Sequence, residues 1–141
     1  MSGYHVAVVI PLFDKAPLIH ATLQSVLAQT LPPAEVIIVD DGSSDGSIDV
    51  IADLIGGPVR LVRQDNAGPG PARNRGTAEA HSEWIALIDG DDLWAPDHLA
   101  TLAGVAHASR KPMWSRRTLP KGCRRTGQWP WPGPATARHR G

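Results

Sequence analysis

Three uninterrupted apolar runs, "VAVVI" at 6–10, "VIIVD" at 36–40 and "WIALID" at 84–89, and a weaker one, "VRLV" at 59–62, punctuate the chain. Their residues do not alternate with polar ones, so each is expected to be a strand covered on both faces, as in a parallel sheet. Between them apolar positions recur at helical spacing. Ile19, Leu23, Val26 and Leu27 fall at i, i+4, i+7 and i+8, and Ile48, Ile51, Ala52 and Ile55 at i, i+3, i+4 and i+7. Each segment is predicted to be a helix that lays one stripe on the sheet. Ser44 or Asp45 is the expected N-cap of the second helix, and Gly56 and Gly57 its stop. A third helix is predicted to start near Pro71 and a fourth near Pro96, with Leu99, Leu102, Ala103 and Ala106 as its stripe. The order predicts an α/β fold, an open and mostly parallel sheet with flanking helices.

The pattern stops after about residue 108. Residues 1–108 read as one domain, and 109–141 as an irregular basic tail rich in Arg, Pro and Trp. The formal net charge of +0 hides this division, because Asp97 is the last acidic residue and every charged residue from Arg110 to Arg140 is basic. Cys123 is the only cysteine, which excludes an intrachain disulfide and reads as an incidental thiol. "VAVVI" is too short for a signal-peptide core, and no stretch approaches the ~20 apolar residues of a membrane span. The expected setting is cytoplasmic, with association at a membrane surface left open.

Candidate chemistry sits at the strand ends. The first strand runs into "PLFD" at 11–14, the second into "DDGSSDGS" at 40–47, and the last into "DGDD" at 89–92. Open α/β sheets bind ligands outside these carboxyl ends. Like charges about 4 Å apart repel by ~1 kcal/mol in bulk water and ~4 kcal/mol near a protein surface, so an acidic edge calls for positive charge. A divalent cation held by carboxylate oxygens would meet that need and could hold a nucleotide's phosphates. Gly90 is expected to let the backbone turn so that Asp89 and Asp91 both face the site. In "QDNAGPGPARNRG" at 64–76, Arg73 in a helical first turn could contact a phosphate.

Taken together and in order, "VAVVIPLFDKAPLIHATLQSVLAQTLPPAEVIIVDDGSSDGS", "NAGPGPARNRG" and "WIALIDGDDLWAPDHL" resemble the N-terminal, nucleotide-binding half of glycosyltransferase family 2 over residues 5 to roughly 105. The resemblance implies the GT-A fold, a Rossmann-like nucleotide-binding half. It also implies transfer of a sugar from a nucleotide-sugar donor to an acceptor hydroxyl, metal-assisted and inverting. By it, Pro11 and Phe13 belong to the nucleotide site, Phe13 stacking on the base. Asp41 hydrogen-bonds the base, and Arg73 lines the nucleotide pocket. Asp89 and Asp91 match the metal-binding "DxD" element, Asp89 toward the ribose and Asp91 toward Mg²⁺ or Mn²⁺ and the diphosphate, with Asp92 commonly acidic as well. Asp14 stands where the family usually has asparagine, and Pro69 and Pro71 stiffen the arginine loop.

The family's catalytic base is a carboxylate well downstream of "DxD", and here no acidic residue follows Asp97. The catalytic residue therefore stays unassigned. The change near residue 109 suggests a truncated or frame-shifted continuation, and the chain is expected to carry only the donor-binding half. The partners implied are a nucleotide-sugar and a glycan, lipid or protein acceptor. Nucleic acid is not an expected partner, because the tail's Arg, Pro and Trp residues follow no amphipathic period. Two other readings stand beside this one: a binding remnant without turnover, and a receiver-like phosphoacceptor domain. The latter would need an aspartate ending a third strand, where "RQDN" stands.

Overall fold

The computed structural model describes residues 5–109. Four strands, β1 (Val6–Leu12), β2 (Glu35–Asp40), β3 (Val59–Arg63) and β4 (Trp84–Leu87), form one parallel sheet in the order β3-β2-β1-β4. The helices are α1 (Ala16–Leu27), α2 (Pro69–Glu79) and α3 (His98–Ser109), with a 3₁₀ helix at Asp49–Leu54. The predicted tail, apart from Ser109 at the end of α3, lies outside the described residues, as does Cys123.

The unbroken apolar runs of β1 and β2 are explained by two cores, whereas β3 and β4, at the sheet edges, are only partly buried and Leu87 of β4 is exposed, against the expectation for these runs. Val6, Val8, Ile10 and Leu12 of β1 and Val36 and Ile38 of β2 face α1, the 3₁₀ helix and α3, meeting Ile19, Leu23, Val26, Ile51 and Leu99. Ala7, Val9, Ile37 and Val39 point the other way, onto Ala72 and Ala80 at α2. Burying each Val or Ile stabilises by roughly 1.5–3 kcal/mol relative to exposure.

The α2 face was not predicted. Ala72 and Gly76 within the helix, and Ala80 just past it, are spaced by four residues and are all buried. They let the helix backbone approach the sheet closely. A β-carbon on Gly76 would lie 2.3 Å from Val9 Cγ1. The helix starts at Pro69 rather than near Pro71, behind Gly68 at φ 98°.

Two other helices depart from their predicted stripes. The second segment is a six-residue 3₁₀ helix with one buried residue, Ile51, while Ala52 is exposed. Three residues per turn set Ile51 in line with Leu54, and Ile55, just past the helix, also packs on the core, so of the predicted stripe only Ala52 faces solvent. Its predicted cap is used elsewhere. Asp45 Oδ2 accepts the Ala16 N–H at 2.9 Å and Ser47 Oγ accepts that of Lys15 at 2.9 Å, so this loop caps α1. In α3, which starts at His98, Leu99 is buried but Leu102 is exposed. Leu99, in its first turn, joins the core, and Ala103 and Ala106 are half-buried.

The chain lays β1, β2 and β3 outward in one direction and then places β4 on the other side of β1. The strand order therefore reverses between β1 and β4, and the crevice lies at their carboxyl ends. This order also differs from the receiver arrangement, in which the first strand lies between the second and third. Among the described residues, no helix is long and apolar enough to cross a membrane.

Candidate functional site

At that crevice lies a cleft of about 510 Å³, lined by Pro11, Phe13, Asp41, Arg73, Asp89 and Asp91, among others. All six nucleotide- and metal-site residues predicted from the sequence thus meet in one place. Pro11 and Phe13 come from the end of β1, Asp41 from that of β2, and Asp89 and Asp91 from the loop after β4. Arg73 comes from the first turns of α2. Phe13 is exposed, with its ring available at the rim.

The carboxylates of the β4 loop already meet positive charge. Arg73 Nη2 donates to Asp89 Oδ1 at 2.8 Å, and Lys15 Nζ lies 3.2 Å from Asp91 Oδ2. Both pairs are solvent-accessible and stabilise the fold by no more than ~1 kcal/mol each. They relieve the crowding of Asp89, Asp91 and Asp92, whose nearest carboxylate oxygens lie within 4.8 Å of one another. Three hard oxygen donors so close together fit Mg²⁺ or Mn²⁺.

Gly90 does not provide its turn in the way expected. Its φ is not in the left-handed region, and a β-carbon there would make ordinary contacts, the nearest at 3.4 Å to the Pro11 carbonyl. The loop is held instead by hydrogen bonds. The buried Thr22 of α1 donates its hydroxyl to the Gly90 carbonyl at 3.1 Å, and Asp92 N–H closes a turn on the Asp89 carbonyl at 3.1 Å.

Asp41 is only 3% exposed. Its Oδ1 accepts from Gln64 Nε2 at 2.9 Å and Ala67 N–H at 2.8 Å, and its Oδ2 from Gly68 N–H at 2.9 Å. Burial alone would raise the carboxyl pKa, but these three donors outweigh it and hold the group below the usual range. Asp41 therefore ties β2 to the loop that starts α2, and so sets where Arg73 stands. The Oδ2 side retains acceptor capacity for a further donor.

Across the cleft, the turn from β1 into α1 is held by the β2 loop. Asp14, at φ 48° the sole left-handed non-glycine among the described residues, donates its N–H to Ser43 Oγ at 3.0 Å and accepts the Ser44 N–H at 2.8 Å. Asp45 also bonds the Ser47 hydroxyl closely. The Ser47 hydroxyl and then the Ala16 N–H hold the Asp45 carboxyl below its ordinary pKa.

The family model described as "Glycosyl transferase family 2" matches residues 7–137. The chain belongs to this family. Among curated relatives, succinoglycan biosynthesis protein ExoW of Rhizobium meliloti is 42% identical over 98 residues, 65% of this chain and 31% of that protein. The cholesterol galactosyltransferase of Borreliella burgdorferi is 34% identical over 107 residues, 74% of this chain and 30% of that protein. The chain thus spans about a third of the length of the relatives it matches. Among solved structures, TarS of S. aureus in complex with UDP-GlcNAc superposes with a TM-score of 0.70 at 24% identity, covering 75% of this chain and 32% of that one. The fold is shared. The mannosyltransferase PcManGT of Pyrobaculum calidifontis, in complex with GDP-Man and Mn²⁺, gives 0.67 at 30% identity, covering 72% and 32%.

Some cleft residues were not singled out from the sequence. Lys15, Asn66 and Ala72 line it, and Thr22 supports it from behind. Lys15 was detectable as the one cation at the strand-to-helix turn after β1. Thr22 was not, because its role depends on a carbonyl 68 residues away.

Proposed function

We propose that the chain forms the donor-binding part of an enzyme that transfers a sugar, with inversion, from a nucleotide-sugar to an acceptor hydroxyl of a glycan, lipid or protein. The observation that carries this reading is the convergence of Asp41, Arg73, Asp89 and Asp91 on one cleft at the topological switch point of a glycosyltransferase family 2 sheet. In this reading Pro11 and Phe13 form the apolar wall for the base, Phe13 by stacking. Asp41 accepts a hydrogen bond from the base through its remaining acceptor capacity. Asp89 faces the ribose, and Arg73 the diphosphate. Asp91 and Asp89, beside Asp92, would hold Mg²⁺ or Mn²⁺, which when bound neutralises the charge that develops on the departing diphosphate. The UDP-GlcNAc bound by TarS and the GDP-Man and Mn²⁺ bound by PcManGT support a nucleotide-sugar donor and a divalent cation. A cytoplasmic setting, peripheral to the membrane, accords with a donor of this kind and with a single cysteine.

The test is calorimetric titration of the chain with UDP and GDP, with and without Mn²⁺. Binding of one nucleotide should depend on Mn²⁺, and Asp91→Asn should abolish that dependence. The thermal midpoint should hardly move, because the Lys15 pair is exposed and the change also removes like-charge repulsion. Equal nucleotide affinity in wild type and variant, with and without metal, would refute the reading.

A further inference from the structure

We propose that Lys15 is an internal counter-ion of the cleft: it competes with a divalent cation for Asp91 and, once displaced, places its ammonium on the donor's diphosphate. This rests on the reading of Asp91 as a cation ligand given above. Lys15 Nζ lies 3.2 Å from Asp91 Oδ2, and both residues line the same cleft as Arg73 and Asp89. A cation reaching Asp91 meets the ammonium there, and must displace it or bind against its charge.

The backbone and the side chain of Lys15 are held very differently. Its N–H is bonded to Ser47 Oγ at 2.9 Å, its carbonyl accepts the Leu18 and Ile19 N–H groups at 2.9 Å each, and Asp14 and Ala16 on either side are tied to Ser43, Ser44 and Asp45. The α-carbon is therefore fixed. The side chain is 42% exposed and carries a flexible four-carbon stem, so the ammonium can leave Asp91 without moving the fold. Arg73, on the opposite wall, carries a planar guanidinium already directed at Asp89. The nucleoside diphosphate that leaves when the sugar is transferred carries more negative charge than one divalent cation neutralises, and a released Lys15 would supply part of the remainder from the β1 side.

The experiment uses the full 141-residue chain. Mn²⁺ binding without nucleotide is followed by the electron paramagnetic resonance signal of free Mn²⁺. Separately, the affinity for whichever of UDP and GDP the wild type prefers is measured at saturating Mn²⁺. Lys15→Gln should bind Mn²⁺ about five- to tenfold more tightly, from the loss of one unit charge at this distance, and the nucleotide more weakly by a similar factor. Lys15→Arg, which keeps the charge, should stay within about twofold of wild type in both. Far-UV circular dichroism reports that each variant is folded. Unchanged Mn²⁺ affinity in Lys15→Gln, in a protein whose Mn²⁺ binding is still abolished by Asp91→Asn, overturns the competition and leaves the cation site intact. Unchanged nucleotide affinity overturns the diphosphate contact. If neither wild type nor Lys15→Gln binds Mn²⁺, the reading of Asp91 falls and this inference with it.

Discussion

Replacing Gly76 by alanine tests whether the approach of α2 to the sheet sets both stability and the site. The added β-carbon would stand 2.3 Å from Val9 Cγ1, 3.1 Å from Val39 Cγ2 and 3.2 Å from Val9 Cγ2. Carbon atoms pack best at about 3.5–4.0 Å, so the shortest contact must open by more than ~1 Å. Val9 cannot easily yield, being fully buried with a stiff β-branched side chain in a strand flanked on both sides. Overpacking of this kind costs about 1–3 kcal/mol, and the better helix propensity of alanine offsets up to ~1 kcal/mol. The expected net loss is about 1–2 kcal/mol, read as a lower urea midpoint by far-UV circular dichroism. If α2 moves outward instead, Arg73, three residues earlier on the same helix, loses its 2.8 Å contact with Asp89, and nucleotide affinity falls as well. Gly104→Ala, at an exposed position of α3, is the control. A β-carbon there has no neighbour within 4 Å, and stability should stay level or rise by up to ~1 kcal/mol. Val9→Ala should cost less in the Gly76→Ala background than alone, because it removes both Val9 methyls that clash. Gly76→Ala as stable as Gly104→Ala, with additive effects of Val9→Ala, would refute the close-packing argument.

Removing the Asp41 carboxylate leaves Gln64 Nε2 and the Ala67 and Gly68 N–H groups without their acceptor. Asp41→Ala is therefore expected to cost ~1–3 kcal/mol of stability in urea denaturation and ~1.5–3 kcal/mol in nucleotide affinity, with metal dependence retained. Unchanged affinity would confine Asp41 to a structural role. At the opposite end of the sheet, burial would raise the Glu35 pKa. The Ser82 hydroxyl, the His81 and Ser82 N–H groups and Arg60 outweigh it and hold the group at about 2, against 4.5 ordinarily. Because the folded-state pKa is depressed, this stabilisation is present in full above pH 4.5 and is lost as the pH falls toward 2. On the order of 2–3 kcal/mol is at stake. Glu35→Gln should flatten the dependence of the urea midpoint on pH across that window, and an unchanged acid limb would refute the assignment.

The sequence by itself determined the strands, the burial of β1 and β2 on both faces and the strand ends that line the cleft, but not that β3 and β4, at the sheet edges, are only partly buried. Continuous apolar runs cannot be satisfied by a one-sided sheet, and the polar clusters follow those runs directly, so the strand ends carry them to one edge. It did not determine what joins elements distant in the chain. Ser44 or Asp45 read as the cap of the next helix, yet Asp45, with Ser47, caps α1, because the parallel pairing of β1 with β2 sets the two loops side by side. Gly90 read as a turn-former, yet the loop is held from α1 by Thr22. The α2 segment has no apolar stripe to find, because its contact with the sheet is made by the small residues Ala72 and Gly76, with Ala80 just past its end, where the backbone itself packs. The strand order, too, is a tertiary fact. Local propensity specifies that a strand forms, while the placement of β4 beside β1 decides where the crevice opens and which charged side chains meet in it.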